Sequence, residues 1–309
     1  MYDDDPLKAQ NGALAIAIPA EVKGLYEAYN RYGSNRISWY DLVMPSSDLA
    51  KQGWVISDDV AAEIKVIEPF ILSGDYNELA KQYMKMDGTI KEAGDIVRQP
   101  ILGNTLEEIA KNGPDYIYKT MSDVLANEIQ AAGGIITKED FEEYEPLLHK
   151  PIRTTFMGHT YVGASGSSSG GVAVAGILKF MQGYDEPLAS LGDLYYHRLA
   201  EAYKHIFAMR THLADPTFHN ITDLVDAFLS DSYMSALRDM TSDDATLDVD
   251  NYGGYYNYKS SLKDSGTTHL SVIDKDGNAV GIIIIIIIII IIIIRLIIII
   301  ISININSQY

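Results

Sequence analysis

Residues 266–280, Gly-Thr-Thr-His-Leu-Ser-Val-Ile-Asp-Lys-Asp-Gly-Asn-Ala-Val, carry the most information in this 309-residue chain. From Thr267 the side chains alternate. Thr267, His269 and Ser271 point one way, and Thr268, Leu270 and Val272 the other, as in a half-buried strand. Residues 274–278 have turn chemistry, with Gly277 and Asn278 tolerant of positive φ, and Ala279 and Val280 begin a returning strand. A hairpin accounts for the pattern without any function.

Thr267 offers a sharper reading. A threonine hydroxyl is a poor nucleophile unless a base lies beside it, and one solution uses the residue's own α-amino group. That amine titrates near pH ~8, so a useful fraction is neutral at physiological pH. An internal threonine has no free amine. The Gly266–Thr267 bond must first be cut, and Gly266 leaves the backbone open to attack by the hydroxyl on its own preceding carbonyl.

Gly266-Thr267-Thr268-His269-Leu270-Ser271-Val272, followed by Asp276-Gly277-Asn278-Ala279-Val280, resembles the processing-site signature of the γ-glutamyltranspeptidases (glutathione hydrolases). The likeness extends upstream over residues 10–280. Gly12-Ala13-Leu14-Ala15-Ile16-Ala17-Ile18-Pro19 with Glu21-Val22-Lys23-Gly24-Leu25 is similar to a family segment. Gln99-Pro100, Asn112-Gly113-Pro114, residues 133–141, Ser168-Ser169-Gly170-Gly171 and Arg210 with Asp215-Pro216 follow in the family's order.

The resemblance implies an α+β chain with the N-terminal-nucleophile hydrolase fold, a four-layer αββα sandwich, here mostly its helix-rich large-subunit portion. It implies residues 1–266 as a partial large subunit, 267–280 as the start of a small subunit, and 281–309 as a non-native tail. Thr267 would be the nucleophile, Gly266–Thr267 the self-cleavage bond, and Thr268 and His269 neighbours that shape the site. The implied donors are glutathione and γ-glutamyl compounds, the acceptors water, amino acids or dipeptides. The mature form would be a large/small subunit heterodimer, with no cofactor and no metal. An extracellular or plasma-membrane-anchored location, periplasmic in a bacterium, goes with it.

Other family site groups, including the arginine for the substrate carboxylate and the oxyanion glycines, are expected outside this chain, which as written is expected to be inactive. Two alternatives stay open. One is a non-catalytic, unprocessed homologue acting as a binding protein. The other is a related amidase of the cephalosporin acylase kind.

Residues 282–294 are all isoleucine, and isoleucine resumes after Arg295-Leu296 up to Ile301. Such a run is long enough to span a bilayer. Against a membrane helix stand its β-branched composition, its aggregation tendency and the charge of Arg295. A genuine low-complexity insertion is a second reading. Translated noncoding DNA is the preferred one, because an ATT repeat encodes polyisoleucine.

Forty-two acidic against twenty-four basic residues give a formal charge of −18, which argues against nucleic acid as a partner. The absence of cysteine removes disulfides, thiolate catalysis and zinc–thiolate sites. Asn220-Ile221-Thr222 is a glycosylation sequon, with Asn220 the acceptor in a secretory eukaryotic context.

Helices are expected over 20–32, over 39–52 with a break near Pro45, over 106–110 and over 118–132, the last ended by Gly133-Gly134. Thr137 with Asp140 predicts a capping box. A strand is expected over 155–162. A Gly/Ser loop over 164–171 should turn tightly into an apolar helix, in preference to cradling an anion. Residues 191–213 predict the longest helix, its core stripe formed by Tyr195, Leu199, Ala202, Ile206, Met209 and Leu213. His197, Glu201 and His205 share another face. A solvated, partly salt-bridged surface is expected there in preference to a metal site. Residues 251–258, Asn-Tyr-Gly-Gly-Tyr-Tyr-Asn-Tyr, suggest a mobile loop presenting Gly266–Thr267, or a plain surface loop. Residues 248–251 lack the glycine and distal glutamate of a calcium loop.

Overall fold

The computed structural model describes residues 6–9, 12–74, 77–166, 169–184, 192–259 and 267–285. The chain divides into two compact units, one formed by residues 1–146 and 265–309 and the other by residues 147–264. Among the described residues are helices and three two-stranded antiparallel sheets, an α+β chain dominated by helix, as expected for this portion. None of the described helices is long and apolar enough to cross a membrane.

In the first unit, α1 (Glu21–Tyr32) ends at Gly33 as predicted. Helix α2 (Trp39–Gln52) starts at Ser38, whose hydroxyl accepts from Asp41 N at 3.1 Å. It runs through Pro45 without a break, contrary to expectation. A proline inside a helix costs about 3 kcal/mol. The half of α2 beyond it is held against α5 (Pro100–Asn112), where Ser47 and Ala50 are fully buried and Ser47 Oγ donates to Gly103 O at 2.7 Å. A Cβ on Gly103 would come within 2.9 Å of Ser47 O, so glycine permits this approach. Ala50, Leu106 and Ile109 form the core between the two helices. Helix α5 starts six residues before the predicted 106, because Pro100 at its first turn needs no hydrogen-bond acceptor.

Between them lie β1 (Trp54–Val55), α3 (Asp58–Leu72), α4 (Asn77–Tyr83) and β2 (Ile96–Val97), around a core of Ile56, Ile64, Ile71, Tyr83 and Val97. The helix expected over 118–132 is a widened π turn, Tyr116–Thr120, followed by α6 (Ser122–Ala131). The widening accompanies burial of Tyr118, whose hydroxyl donates to Pro19 O. Helix α7 (Lys138–Glu142) opens with the predicted capping box of Thr137 and Asp140.

In the second unit, the strand expected over 155–162 is a hairpin, β3 (Ile152–Phe156) with β4 (His159–Gly163). Its turn is Met157-Gly158, both at positive φ (47° and 80°). A methionine in that conformation gives no sequence signal of a turn. Helix α8 (Ser169–Gln182) is the centre of this unit, with Val172, Ala175, Phe180 and Met181 buried. Around it pack α9 (Asp193–Arg210), α10 (Thr222–Leu229) and α11 (Asp231–Met240). Helix α9 is the longest described, and its predicted stripe faces the core: Ala202, Ile206 and Met209 are buried, and Tyr195, Leu199 and Leu213 pack beside them. At Gly176 a Cβ would lie 2.8 Å from Ile206 Cδ1, so α8 and α9 meet nearly backbone to side chain.

Candidate active site

The decisive stretch folds as predicted. Strand β5 (Thr267–Ile273) pairs antiparallel with β6 (Ala279–Ile285), in register from Thr267↔Ile285 to Ile273↔Ala279. The Asp274 carboxylate organises the turn, accepting from Asn278 Nδ2 at 2.8 Å, Asn278 N at 2.8 Å and Asp276 N at 2.9 Å. The Asn278 side chain, then the turn amides, hold this carboxyl below its usual range. Gly277 takes the positive φ of 83° that closes the turn. Leu270 and Val272 are half-buried, while His269 and Ser271 are exposed on the other side, matching the predicted alternation.

Thr267 is the first residue of β5, and Thr268 follows it opposite Ile284. A ring nitrogen of His269, Nε2, lies 2.6 Å from Ser271 Oγ. Gly266 lies outside the described residues, as does the isoleucine tract from 286 onward. The first isoleucines, 282–285, belong to β6 and continue its pairing. Asn220 is exposed just before α10, its Oδ1 accepting from Thr222 N at 3.0 Å.

The face shared by His197, Glu201 and His205 departs from expectation. Glu201 and His205 are 0 % exposed. Glu201 receives hydrogen bonds from Tyr252 Oη at 2.7 Å and Lys204 Nζ at 2.6 Å. His205 Nδ1 accepts from Gly253 N at 3.0 Å, and its Nε2 lies 3.2 Å from Thr241 Oγ1. That pattern assigns the ring proton to Nε2 and leaves the imidazole neutral. Burial pushes its pKa down to about 4, outweighing the opposing influence of Glu201. These groups bond to protein partners, and His197 Nε2 lies 2.8 Å from Ser242 O. Among the described residues no cluster of histidine and carboxylate side chains could hold a metal.

The same contacts correct the reading of residues 251–258. Tyr252 and Gly253 are buried, and short 3₁₀ turns over Val249–Asn251 and Gly254–Tyr256 shape the segment. Burial, then the bond to Glu201, raises the Tyr252 pKa. The sequence concealed this because a Gly/Tyr/Asn-rich stretch matches loop composition. A signal was available in the spacing of Glu201 and His205, one turn apart on one face of α9.

The Gly/Ser loop leads into α8, whose first residue, Ser169, accepts from Arg210 Nε at 2.9 Å. A Cβ on Gly171 would lie 2.9 Å from the Gly163 carbonyl carbon, supporting the tight-turn reading. Elsewhere in the second unit an open groove of about 530 Å³ is lined by Asp223, Asp226, Tyr233, Tyr255 and Tyr256 among others.

Residues 1–286 match the family model described as "Gamma-glutamyltranspeptidase". The chain is 36 % identical over 284 residues to glutathione hydrolase 2 of Arabidopsis thaliana, covering 91 % of this chain and 48 % of that protein. It is 31 % identical over 283 residues to the glutathione hydrolase proenzyme of Escherichia coli, covering 90 % and 47 %. It thus spans about half the length of these curated relatives. The γ-glutamyltranspeptidase of Helicobacter pylori superposes with a TM-score of 0.73 at 26 % identity, over 83 % of this chain and 73 % of that one. The cephalosporin acylase of Bacillus halodurans shares the fold, with a TM-score of 0.65 at 19 % identity over 75 % and 43 %. With a match that takes in nearly the whole sequence, the β5–β6 hairpin included, this chain belongs to the γ-glutamyltranspeptidase family.

Proposed function

We infer that the protein is a γ-glutamyltransferase and glutathione hydrolase that matures by cutting itself between Gly266 and Thr267. The observation that carries this reading is the place of Thr267 as first residue of β5, at the head of a strand already paired. Cleavage there would leave a threonine amine at the end of a held strand.

In the maturation step, Thr267 Oγ1 attacks the Gly266 carbonyl carbon and the peptide C–N bond breaks. The hydroxyl proton passes to the departing amine, giving an ester. Water hydrolyses the ester, freeing a Gly266 carboxylate and the Thr267 amine and hydroxyl. In turnover that amine takes the hydroxyl proton while Oγ1 attacks the γ-glutamyl carbonyl of glutathione. Cysteinylglycine leaves as the amine, taking up a proton, and a γ-glutamyl-threonine ester remains. Water releases glutamate from it, or an amino acid or dipeptide amine takes the γ-glutamyl group. Thr268 and His269 shape the site beside the nucleophile. The two pieces remain together as a heterodimer.

The same reading places the protein outside the cell or on the outer face of the plasma membrane, or in the periplasm of a bacterium. Exposure of Asn220 within its sequon supports glycosylation there.

Mass spectrometry of the full-length protein should find a fragment beginning at Thr267, and the cut protein should release the chromophore from a γ-glutamyl anilide. An intact protein, or a cut elsewhere, would overturn the reading in favour of an unprocessed binding homologue.

A further inference from the structure

We propose that the open groove of the second unit binds the guanidinium group of an arginine residue in a peptide, with Asp223, Asp226, Tyr255 and Tyr256 as its contacts. The groove lies wholly within residues 147–264, and its ligand does not depend on the self-cleavage reading.

One side of the groove is charged. Asp223 and Asp226 lie one turn apart on α10, both exposed, and like charges at that spacing repel. The positive end of the helix offsets this for Asp223, in its first turn. Asp226 lies further in, where that effect has fallen off. Among the described residues neither carboxylate forms an ion pair, whereas Asp231, which opens α11, is paired with Lys179 Nζ at 2.9 Å. The described lining contains no lysine, arginine or histidine.

The rest of the groove is largely aromatic. Tyr255 is 84 % exposed and meets Tyr256 edge-on, with ring centroids 5.0 Å apart. Tyr256 lies 6.0 Å from Tyr233. Burial, then the Asp223 carboxylate, raises the Tyr256 pKa, so acid and ring are electrostatic neighbours.

Buried polar groups hold this aromatic side in place. Gly253 N donates to His205 Nδ1, and Gly253 O accepts from Tyr233 Oη at 2.7 Å. Tyr256 N donates to the same Tyr233 Oη at 3.3 Å. Gly253 and Gly254 take successive positive φ, 90° and 63°, between the buried Tyr252 and the exposed Tyr255. Burying the Glu201 carboxylate and the His205 imidazole costs free energy that an apolar contact would avoid. Their directional bonds select one path for a segment with little regular structure, and that path brings two tyrosines to the groove.

A guanidinium suits this pairing of acid and ring. It is planar, stacks on a tyrosine face and donates to carboxylates through a fork of N–H groups, whereas an ammonium is a more strongly hydrated point charge. Because the groove is open, a bound chain can continue past it, as a peptide would.

The test titrates acetyl-arginine amide into the full-length protein by ligand-observed NMR, with acetyl-lysine amide, the neutral acetyl-citrulline amide and free arginine for comparison. Saturable binding near ~1 mM is expected for the arginine amide. The lysine amide should bind several-fold more weakly, and the citrulline amide not at all. Asp226→Asn keeps the side-chain shape and should weaken binding ~10-fold. Tyr255→Ala removes an exposed ring and should weaken it ~3-fold. Both variants should keep the wild-type melting temperature. The site is overturned if no saturation appears by ~50 mM, or if both variants bind as the wild type does. A lysine amide that binds as tightly as the arginine amide overturns the guanidinium, and free arginine binding more tightly than its amide overturns the peptide.

Discussion

The hairpin over residues 267–285 and the segment over residues 247–259 are held by opposite means. The hairpin is local. Its strands pair backbone to backbone through a short turn, and much of its surface is exposed, with Ile273 72 % accessible. The segment over residues 247–259 has little regular structure, and its holding groups come from α9, from Thr211 just past its end and from α11, about 20 to 50 residues away. A strand pair can be specified by alternation and a turn. A loop that must adopt one path needs partners elsewhere in the chain, and these are found only after folding.

The contrast can be broken most severely at the hairpin's first residue. Thr267→Ala removes the proposed nucleophile, so the protein should stay uncut and release no product from a γ-glutamyl anilide, with its melting temperature unchanged. Gel electrophoresis and the anilide assay check this together.

Acid probes the segment over residues 247–259. His205 stays neutral in the folded protein down to about pH 4, whereas an unfolded histidine takes a proton near pH ~6.5. Its contribution is therefore present above pH ~6.5 and is lost as pH falls from there toward 4, by up to roughly 3 kcal/mol. Melting of the unit containing residues 147–264 should show this acid slope, and His205→Asn should flatten it. Glu201→Ala leaves the buried Tyr252 hydroxyl without its acceptor and should cost about 2 to 3 kcal/mol, seen as a lower denaturant midpoint.

Glu21, in the other unit, should slope the opposite way. Burial raises its pKa to about 7, and its Oε1 has no hydrogen-bond partner. The folded carboxyl keeps its proton to a higher pH than the unfolded one. Its contribution is thus full below about 4.5 and is lost as pH rises through 7. Glu21→Gln should stabilise the protein at pH 8 by about 2 kcal/mol, and a stability–pH curve without this gain would remove Glu21 from the account. The smallest effect belongs to the turn: Gly277→Ala forces a side chain into positive φ, and should cost about 1 kcal/mol, read as faster amide exchange along β5.

The sequence alone determined what depends on neighbours along the chain. The capping box at Thr137, the core stripe of α9 and the hairpin after Thr267 arise from periods, caps and turn residues within a few positions of one another. Family membership was legible for a related reason, since a long ordered motif survives in the linear text. Only the tertiary structure decided what depends on distant partners. Helix α2 persists through Pro45 because α5 packs against its second half. Met157 turns the β3–β4 hairpin in a conformation its residue type does not advertise. Glu201 and His205, polar and regularly spaced, belong in the interior because a tyrosine and a glycine amide some fifty residues later satisfy them there. Burial of a polar group is decided by the partner it finds, and that partner is brought to it only by the fold.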